Sequence, residues 1–276
     1  MIKKILIPQD GSEYSKSALD YGIYLAREFG AELIGINVVD VVALEGPLLH
    51  DLSGSLGIEP LMNLSTRMRE ALEERGKVIL EGFSASCAEA GVIHDKRQAS
   101  GIVATEICNA AKLADLVIMG GRGLNARFDY GLLGSTTESV LRRSPQPVFV
   151  VPVVFKPIAA PLLAYDASPN AARAMHSAAQ FCKALKLPLT VITVSKQETD
   201  ARLKEAEDYL KGYGLKVVYT HVNDDPPVGI EGYYKEHAHD LLFMGATHHA
   251  ALVEMVLGST TEHVMRRIAG PFFLER

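Results

Sequence analysis

The sequence predicts an α/β protein built from two tandem, doubly wound parallel-sheet domains, and three observations carry that reading. Short apolar runs of strand length alternate with segments whose apolar residues recur at helical spacing. One long pattern occurs twice, as MGGRGLNARFDYGLLGSTTESVLRR from Met119 to Arg143 and as MGATHHAALVEMVLGSTTEHVMRR from Met244 to Arg267, each time directly after an apolar run. The length, 276 residues, suits two domains of ordinary size. The expected boundaries are 1–154 and 159–276, with Pro157 in the link, and about five strands and four helices on each side.

Ile5-Leu6-Ile7-Pro8 reads as a short buried strand that ends in Gln9-Asp10-Gly11-Ser12. Ala18, Leu19, Gly22, Leu25, Ala26 and Phe29 then recur as one face of a helix. Asp10 therefore stands at the carboxyl end of the first strand, where open α/β sheets bind ligands; a turn or helix-cap carboxylate is the alternative. Leu33 to Val38 is the second strand. From Val41 to about Met62, an apolar stretch is broken by Gly46, Pro47, Gly54, Gly57 and Pro60, which predicts a lid or an interface patch instead of one helix. A long helix from Leu64 to Ala90 follows, with Leu64, Met68, Leu72, Ile79 and Phe83 near one stripe.

A third strand is signalled near Val92 to Arg97, and a helix from Ile102 to Lys112 leads into Leu116-Val117-Ile118-Met119, a strand buried on both faces. Gly120, Gly121 and Gly123 come next, expected to permit positive φ and close approach of backbone to a ligand. Gly134 precedes Ser135-Thr136-Thr137-Glu138 at a helix start, where free N–H groups and hydroxyls cradle an anion. A capping box, with Ser135 as N-cap and Glu138 reaching back, is the plainer alternative. Pro147 to Val153 is a fifth strand with prolines at its boundaries, as an edge strand has.

The second half repeats this order: Leu162 to Asp166, a helix from Ser168-Pro169, Leu189 to Val194, a helix to about Leu210, then Lys216 to His221, Asp225 to His237, Asp240 to Gly245 and Pro271 to Leu274. Asp166 matches Asp10. The second copy is shorter by 32 residues, the difference between the Asp10–Gly134 and Asp166–Gly258 intervals, and the lid segment is expected to hold most of the loss.

A net charge of -5 gives no electrostatic basis for a nucleic-acid or membrane partner, so any anion site must be local. Cys87, Cys108 and Cys182 are scattered and odd in number, which argues against a disulfide framework and for a reducing compartment. The chain enters its first strand at once and has no stretch long enough to span a bilayer, so a soluble, cytoplasmic protein is expected. His237, His239, His248, His249 and His263 lack the i, i+4 spacing of a metal pair, and no metal site formed by the protein alone is expected.

The identical helix starts Gly134-Ser135-Thr136-Thr137-Glu138 and Gly258-Ser259-Thr260-Thr261-Glu262, the glycines Gly120 and Gly123 and the strand-one aspartate together resemble the G-x2-G-x9-G-[ST] signature of the universal stress proteins. The resemblance covers nearly the whole chain as two tandem copies. It implies Rossmann-like, adenine-nucleotide α-hydrolase-like domains and a stress-response or regulatory protein that binds ATP, with ADP or AMP as alternatives and Mg²⁺ travelling with the phosphates. The implied site is Pro8, Gln9, Asp10, Val38, Met119, Gly120, Arg122, Gly123, Gly134, Ser135, Thr136 and Thr137. Adenine would lie by Pro8 and the Val38 backbone, and the phosphates on the glycine loop, with Arg122 or Arg127 adding charge. Ten residues separate Gly123 from Gly134, one more than the family pattern.

A weak second site would use Asp166, Val194, Gly245, His248, Gly258, Ser259 and Thr260. His248 stands there in place of the second glycine and Ala164 in place of Pro8, so this half is expected to bind nucleotide poorly or not at all. Slow ATP hydrolysis or an ATP-dependent enzyme of the same fold is the alternative function, although no Walker A lysine, Ser/His/Asp set or carboxylate pair accompanies the loop. A metal-binding or non-binding interaction scaffold is a lesser alternative. The resemblance also implies that the fifth strands pack side by side, so that one chain imitates a dimer, with a homodimer of tandem chains formed through the lid as a further step.

Overall fold

Strand β1 (Lys4–Pro8), helix α1 (Glu13–Phe29) and strand β2 (Glu32–Asp40) open a computed structural model that describes residues 2–41, 61–124, 133–197, 201–246, 258–268 and 270–276, with backbone alone at 61–65. The first half continues through α2 (Leu61–Glu89), β3 (His94–Gly101), α3 (Val103–Ala111), β4 (Leu116–Gly120), α4 (Ser135–Arg143) and β5 (Val148–Val151). The second half runs β6 (Pro161–Ala164), α5 (Pro169–Leu185), β7 (Leu189–Val194), α6 (Ala201–Leu210), β8 (Val217–Val222), α7 (Pro226–Glu236), β9 (Leu241–Gly245), α8 (Ser259–Arg267) and β10 (Phe272–Glu275).

Local sequence explains the ends of these elements. Ser12 caps α1 by accepting the Ser15 N–H, and Gly30 closes it in the left-handed conformation at φ 62°. Ser168 caps α5 by accepting the Ala171 N–H, with Pro169 in the first turn. β3 lies two residues later than its apolar signal and runs on to Gly101, because its polar sequence HDKRQASG pairs with β2 along eight residues, from Leu33↔His94 to Asp40↔Gly101. Pairing fixed it, not hydrophobicity.

The ten strands form one sheet in the order β3-β2-β1-β4-β5-β10-β9-β6-β7-β8. Every neighbouring pair is parallel except β5 with β10, which run antiparallel with Phe149 opposite Phe273. Each half therefore has a switch point, between β1 and β4 and between β6 and β9, where the strand order reverses and a crevice opens at the carboxyl ends. The fifth strands do lie side by side. The proline-bounded β5 is consequently central and not an edge strand; Pro147 and Pro152 fall outside its four fully buried residues and cost the ladder no donor.

The 32-residue difference between the halves is shared out differently from the expectation. Helix α2 has 29 residues, whereas α6 has 10 and is followed by a 3-residue 3₁₀ turn, so the helix accounts for about as much of the loss as the segment before it. The lid expected over 41–62, and any dimerisation through it, lies outside the described residues between 42 and 60. No helix among the described residues is long and apolar enough to cross a membrane.

One buried carboxylate ties stability to pH. Glu275, at the end of β10, is 7% exposed and accepts a hydrogen bond from Ser177 Oγ. Burial raises its pKa above the ordinary value, outweighing the Ser177 bond and the Arg173 charge, which lower it. The native state thus holds this proton more tightly than the unfolded chain does. The resulting stability is complete below the unfolded pKa and is lost as pH rises through the raised native value. Glu275→Gln, which keeps the shape without the charge, is expected to raise the melting temperature more at pH 8 than at pH 4. Melts showing no pH-dependent difference from the wild type would contradict this account.

Candidate functional site

The first crevice is built from the end of β1 outward. Gln9 donates its backbone N–H to the Ile36 carbonyl at 2.7 Å, and its buried side-chain Nε2 donates to the Ser15 carbonyl at 3.0 Å. Asn37 Nδ2 donates to the Gln9 carbonyl at 2.8 Å. Gln9 is thereby committed to stapling α1 onto β1 and β2, and Asp10 is the next residue out.

Asp10 does two things at once. One carboxylate oxygen accepts the Ser12 N–H at 2.9 Å, as a turn carboxylate does, and the other accepts the Leu124 N–H at 3.0 Å from the glycine loop. The loop is tied at both ends: Gly121 N–H donates to Val151 (3.1 Å), Gly134 N–H to Gly121 (2.9 Å) and Thr137 Oγ1 to Gly120 (3.0 Å).

Two local expectations need correction. Gly120, Gly121 and Gly123 do not use positive φ; among the described glycines that conformation belongs to Gly11, Gly30, Gly91 and Gly214. Space is what Gly120 and Gly123 supply, whereas a Cβ at Gly121 would meet nothing nearer than 3.5 Å. A Cβ at Gly120 would lie 2.5 Å from the Cβ of Tyr14 on α1, and one at Gly123 would lie 2.6 Å from Asp10 Oδ2. The capping box is also absent. Gly134, at φ -68°, is the N-cap of α4, with no side-chain cap, and Glu138 lies 3.9 Å from Arg142 on its own helix. The first-turn N–H groups of α4 are therefore not capped by any side chain, which leaves the positive end of the helix open to an anion.

All twelve residues of the predicted first site line a single cavity of about 450 Å³. Pro8, Val38 and Met119 form its apolar side; Gly120, Arg122, Gly123, Gly134, Ser135, Thr136 and Thr137 form the loop and helix side, with Asp10 between them. The far wall was not foreseen. Leu72, Arg75, Gly76 and Ile79 of α2 line it, together with Asn37 and Asp40. Gly76 lets α2 close in, since a Cβ there would lie 2.2 Å from Asn37 Oδ1 and 2.3 Å from Gln98 Nε2. Gln98 Nε2 also donates to the Glu73 carbonyl at 2.8 Å, fixing the helix in place. A glycine inside an apolar-striped helix was the available signal. Arg127 lies outside the described residues.

The second crevice has the same plan and less room, about 140 Å³. Asp166, Val194, Gly245 and Thr260 line it; Gly258 and Ser259 begin α8 without lining it, and His248 lies outside the described residues. Tyr165 takes the place of Gln9. Its N–H donates to Ile192 at 2.9 Å, as Gln9 does to Ile36, but its hydroxyl donates to Glu205 Oε1 at 2.5 Å. Burial and the Glu205 carboxylate raise the phenol's pKa far above the usual range. Gly245 is again a packing glycine, since a Cβ there would meet the Ala171 nitrogen at 2.4 Å. Among the described residues, Arg202 is what the short α6 contributes to the lining of this crevice, where α2 contributes four residues to the first.

Comparison with known proteins places this architecture. The family model described as the universal stress protein family matches residues 1–152 and 195–274. The match lapses across β6, α5 and β7, the stretch where Ala164 and Tyr165 stand in place of Pro8 and Gln9. Universal stress protein Slr1230 of Synechocystis is 29% identical, with 98% of each chain covered. Universal stress protein MJ0531 of Methanocaldococcus jannaschii is 36% identical across 55% of this chain and 82% of its own. Among solved structures, a universal stress protein from Archaeoglobus fulgidus superimposes with a TM-score of 0.76 at 27% identity, covering 99% of this chain and 96% of that one.

Proposed function

We propose that this chain, which belongs to the universal stress protein family, is an adenine-nucleotide-binding regulatory protein whose ligand, ATP, sits in the first half. The observation that carries the reading is the convergence of uncapped α4 N–H groups, a backbone loop held open by glycines and the Asp10 carboxylate on one 450 Å³ cavity with an apolar side. In this reading adenine lies along Pro8, Val38 and Met119, Asp10 meets the ribose, and the triphosphate with its Mg²⁺ lies along Gly120, Gly123, Gly134, Ser135 and Thr136. Arg122 adds a charge-assisted bond of about 1.5–3 kcal/mol when well placed. The protein's part is to hold and orient the nucleotide. The acid at the loop, Asp10, already accepts two backbone N–H groups, which suits it to positioning more than to proton transfer.

The second half supports binding less well. Its crevice is under a third of the volume, falls below the usual range of roughly 300–1,000 Å³ for ligand pockets, and among the described residues takes only Arg202 from the helix equivalent to α2. Mass spectrometry of ligand released from the purified, denatured protein is expected to find an adenine nucleotide, and calorimetry on the stripped full chain to give one ATP per chain. No retained nucleotide together with no heat of ATP binding would remove this reading. Two equal sites per chain would remove the assignment to the first half.

A further inference from the structure

The two outer strands of the sheet are protected unequally. β3 carries Asp95, Lys96 and Arg97 side by side, with Lys96 paired to Glu81 of α2 and Arg97 to Asp95 at 3.2 Å. Charged side chains, lysine above all, are how natural proteins keep an outer strand from pairing with another chain. β8, at the other end of the strand order, reads Val217-Val218-Tyr219-Thr220-His221-Val222, with no Asp, Glu, Lys, Arg, Pro or Gly. These are strong strand formers. β8 pairs with β7 residue by residue from Leu189↔Val217 to Val194↔Val222, with no bulge to turn the edge away, and Val218 is 49% exposed.

The backbone bonds show what that edge offers. Leu189 N–H donates to the Lys216 carbonyl at 3.0 Å and Ser195 N–H to the Val222 carbonyl at 3.1 Å. Alternate residues of a parallel strand face its neighbour, so Lys216, Val218, Thr220 and Val222 bond to β7, and the N–H and C=O of Val217 and Tyr219 point to the open side. Among the described residues no strand lies there. The flanks of β8 are opposite in charge: the exposed Lys216 precedes it and Asp224 follows it. A second copy laid parallel would set like charges together, whereas an antiparallel copy brings each Lys216 within diagonal reach of the other copy's Asp224.

We propose that β8 is the interface of a two-fold dimer, in which a second copy of this chain pairs with it antiparallel, centred on Tyr219. The two Tyr219 residues exchange N–H···O bonds across the axis, and each Val218 stands opposite the other copy's Thr220. Ion pairs at a surface add little energy, so the Lys216 and Asp224 charges set direction while backbone bonds and apolar contact hold the pair. The assembly closes on itself. Both β8 edges are used, the outer strands that remain are the charged β3 of each copy, and the fifth strands are already paired within each chain. Neither crevice takes part, so the surface is independent of nucleotide binding.

Sedimentation velocity on the full chain, from micromolar to millimolar, is expected to show a monomer–dimer equilibrium and no larger species. Val218→Lys puts a charge at an exposed position beside the pairing edge. It is expected to weaken the dimer at least tenfold, with circular dichroism of the dilute protein unchanged. The geometry has its own test, because Val218 and the other copy's Thr220 form a non-hydrogen-bonded pair with Cα atoms about 4.5 Å apart, within disulfide range. The native cysteines are all buried. Val218→Cys mixed with Thr220→Cys is therefore expected to give, on mild oxidation, a disulfide-linked pair of the two variants. The proposal is overturned by a protein that stays monomeric to millimolar concentration, or by Val218→Lys dimerising as the wild type does. It is equally overturned by a protein that dimerises without forming the Val218–Thr220 cross-link, or by growth into open-ended oligomers.

Discussion

Gly123→Val is expected to weaken ATP at least a hundredfold, about 2.7 kcal/mol, with the fold intact by circular dichroism. The cause is steric and local. A Cβ at this position would already lie 2.6 Å from Asp10 Oδ2, the oxygen that accepts the Leu124 N–H. Valine must either push the carboxylate out of that bond or push the loop away from the strand end, and each movement takes donors or acceptors from the place where a nucleotide would meet them. Nothing in the core depends on Gly123, because Gln9 and Asn37 hold β1, β2 and α1 together independently. Gly82→Ala is the matching control. It lies on the exposed face of α2 with nothing within 4 Å of a Cβ, so it is expected to stabilise the protein by about 0.5–1 kcal/mol and leave ATP affinity unchanged. Calorimetry giving wild-type affinity in folded Gly123→Val would falsify the first-half site.

The order of elements and the position of the crevice were legible because both follow from local pattern. Runs such as Leu116-Val117-Ile118-Met119 have to be buried on both faces, and β4 is buried along its whole length. The repeated GSTTE motif marked both helix starts. Geometry that depends on partners far along the chain was not legible. The polar β3 is a strand because β2 pairs with it, and no periodicity in HDKRQASG says so. The capping-box pattern was present in sequence, but the N-cap falls on Gly134, since Gly134 N–H is held by Gly121 and Thr137 turns its hydroxyl to Gly120. The steric role of Gly120 and Gly123 is not in the local pattern, because the objects they avoid, Tyr14 and Asp10, lie more than a hundred residues away in sequence. The α2 wall was missed for the same reason: Asn37, Gly76 and Gln98 meet only when the sheet and helix are assembled.

Phe181→Ala is expected to cost about 3–5 kcal/mol, the usual range for removing a buried phenylalanine, and to do so at the junction between the halves. Phe181 projects from α5 of the second half and is fully buried. Its ring meets Phe243 of β9 at 5.3 Å and Phe273 of β10 at 6.5 Å on its own side, and Phe29 of α1 at 5.6 Å and Phe149 of β5 at 6.2 Å on the other. All four contacts are near edge-to-face, the arrangement in which aromatic pairs add about 0.5–1.5 kcal/mol beyond buried area. Among the described residues, the backbone joins the halves in the sheet through three registered pairs, Phe272↔Val150, Phe273↔Phe149 and Leu274↔Val148. This aromatic cluster, part of a core that runs through both halves, is therefore expected to be a main source of cooperativity between them. Phe83→Ala removes a ring of the same size from the outer part of the first half, where it packs on Gly35, and leaves the junction alone. Differential scanning calorimetry should show both variants melting roughly 6–12 °C below the wild type. Only Phe181→Ala should separate the single transition into two, as each half unfolds without its neighbour. A single transition in Phe181→Ala within 2 °C of the wild type would show that the strand pairing alone couples the halves.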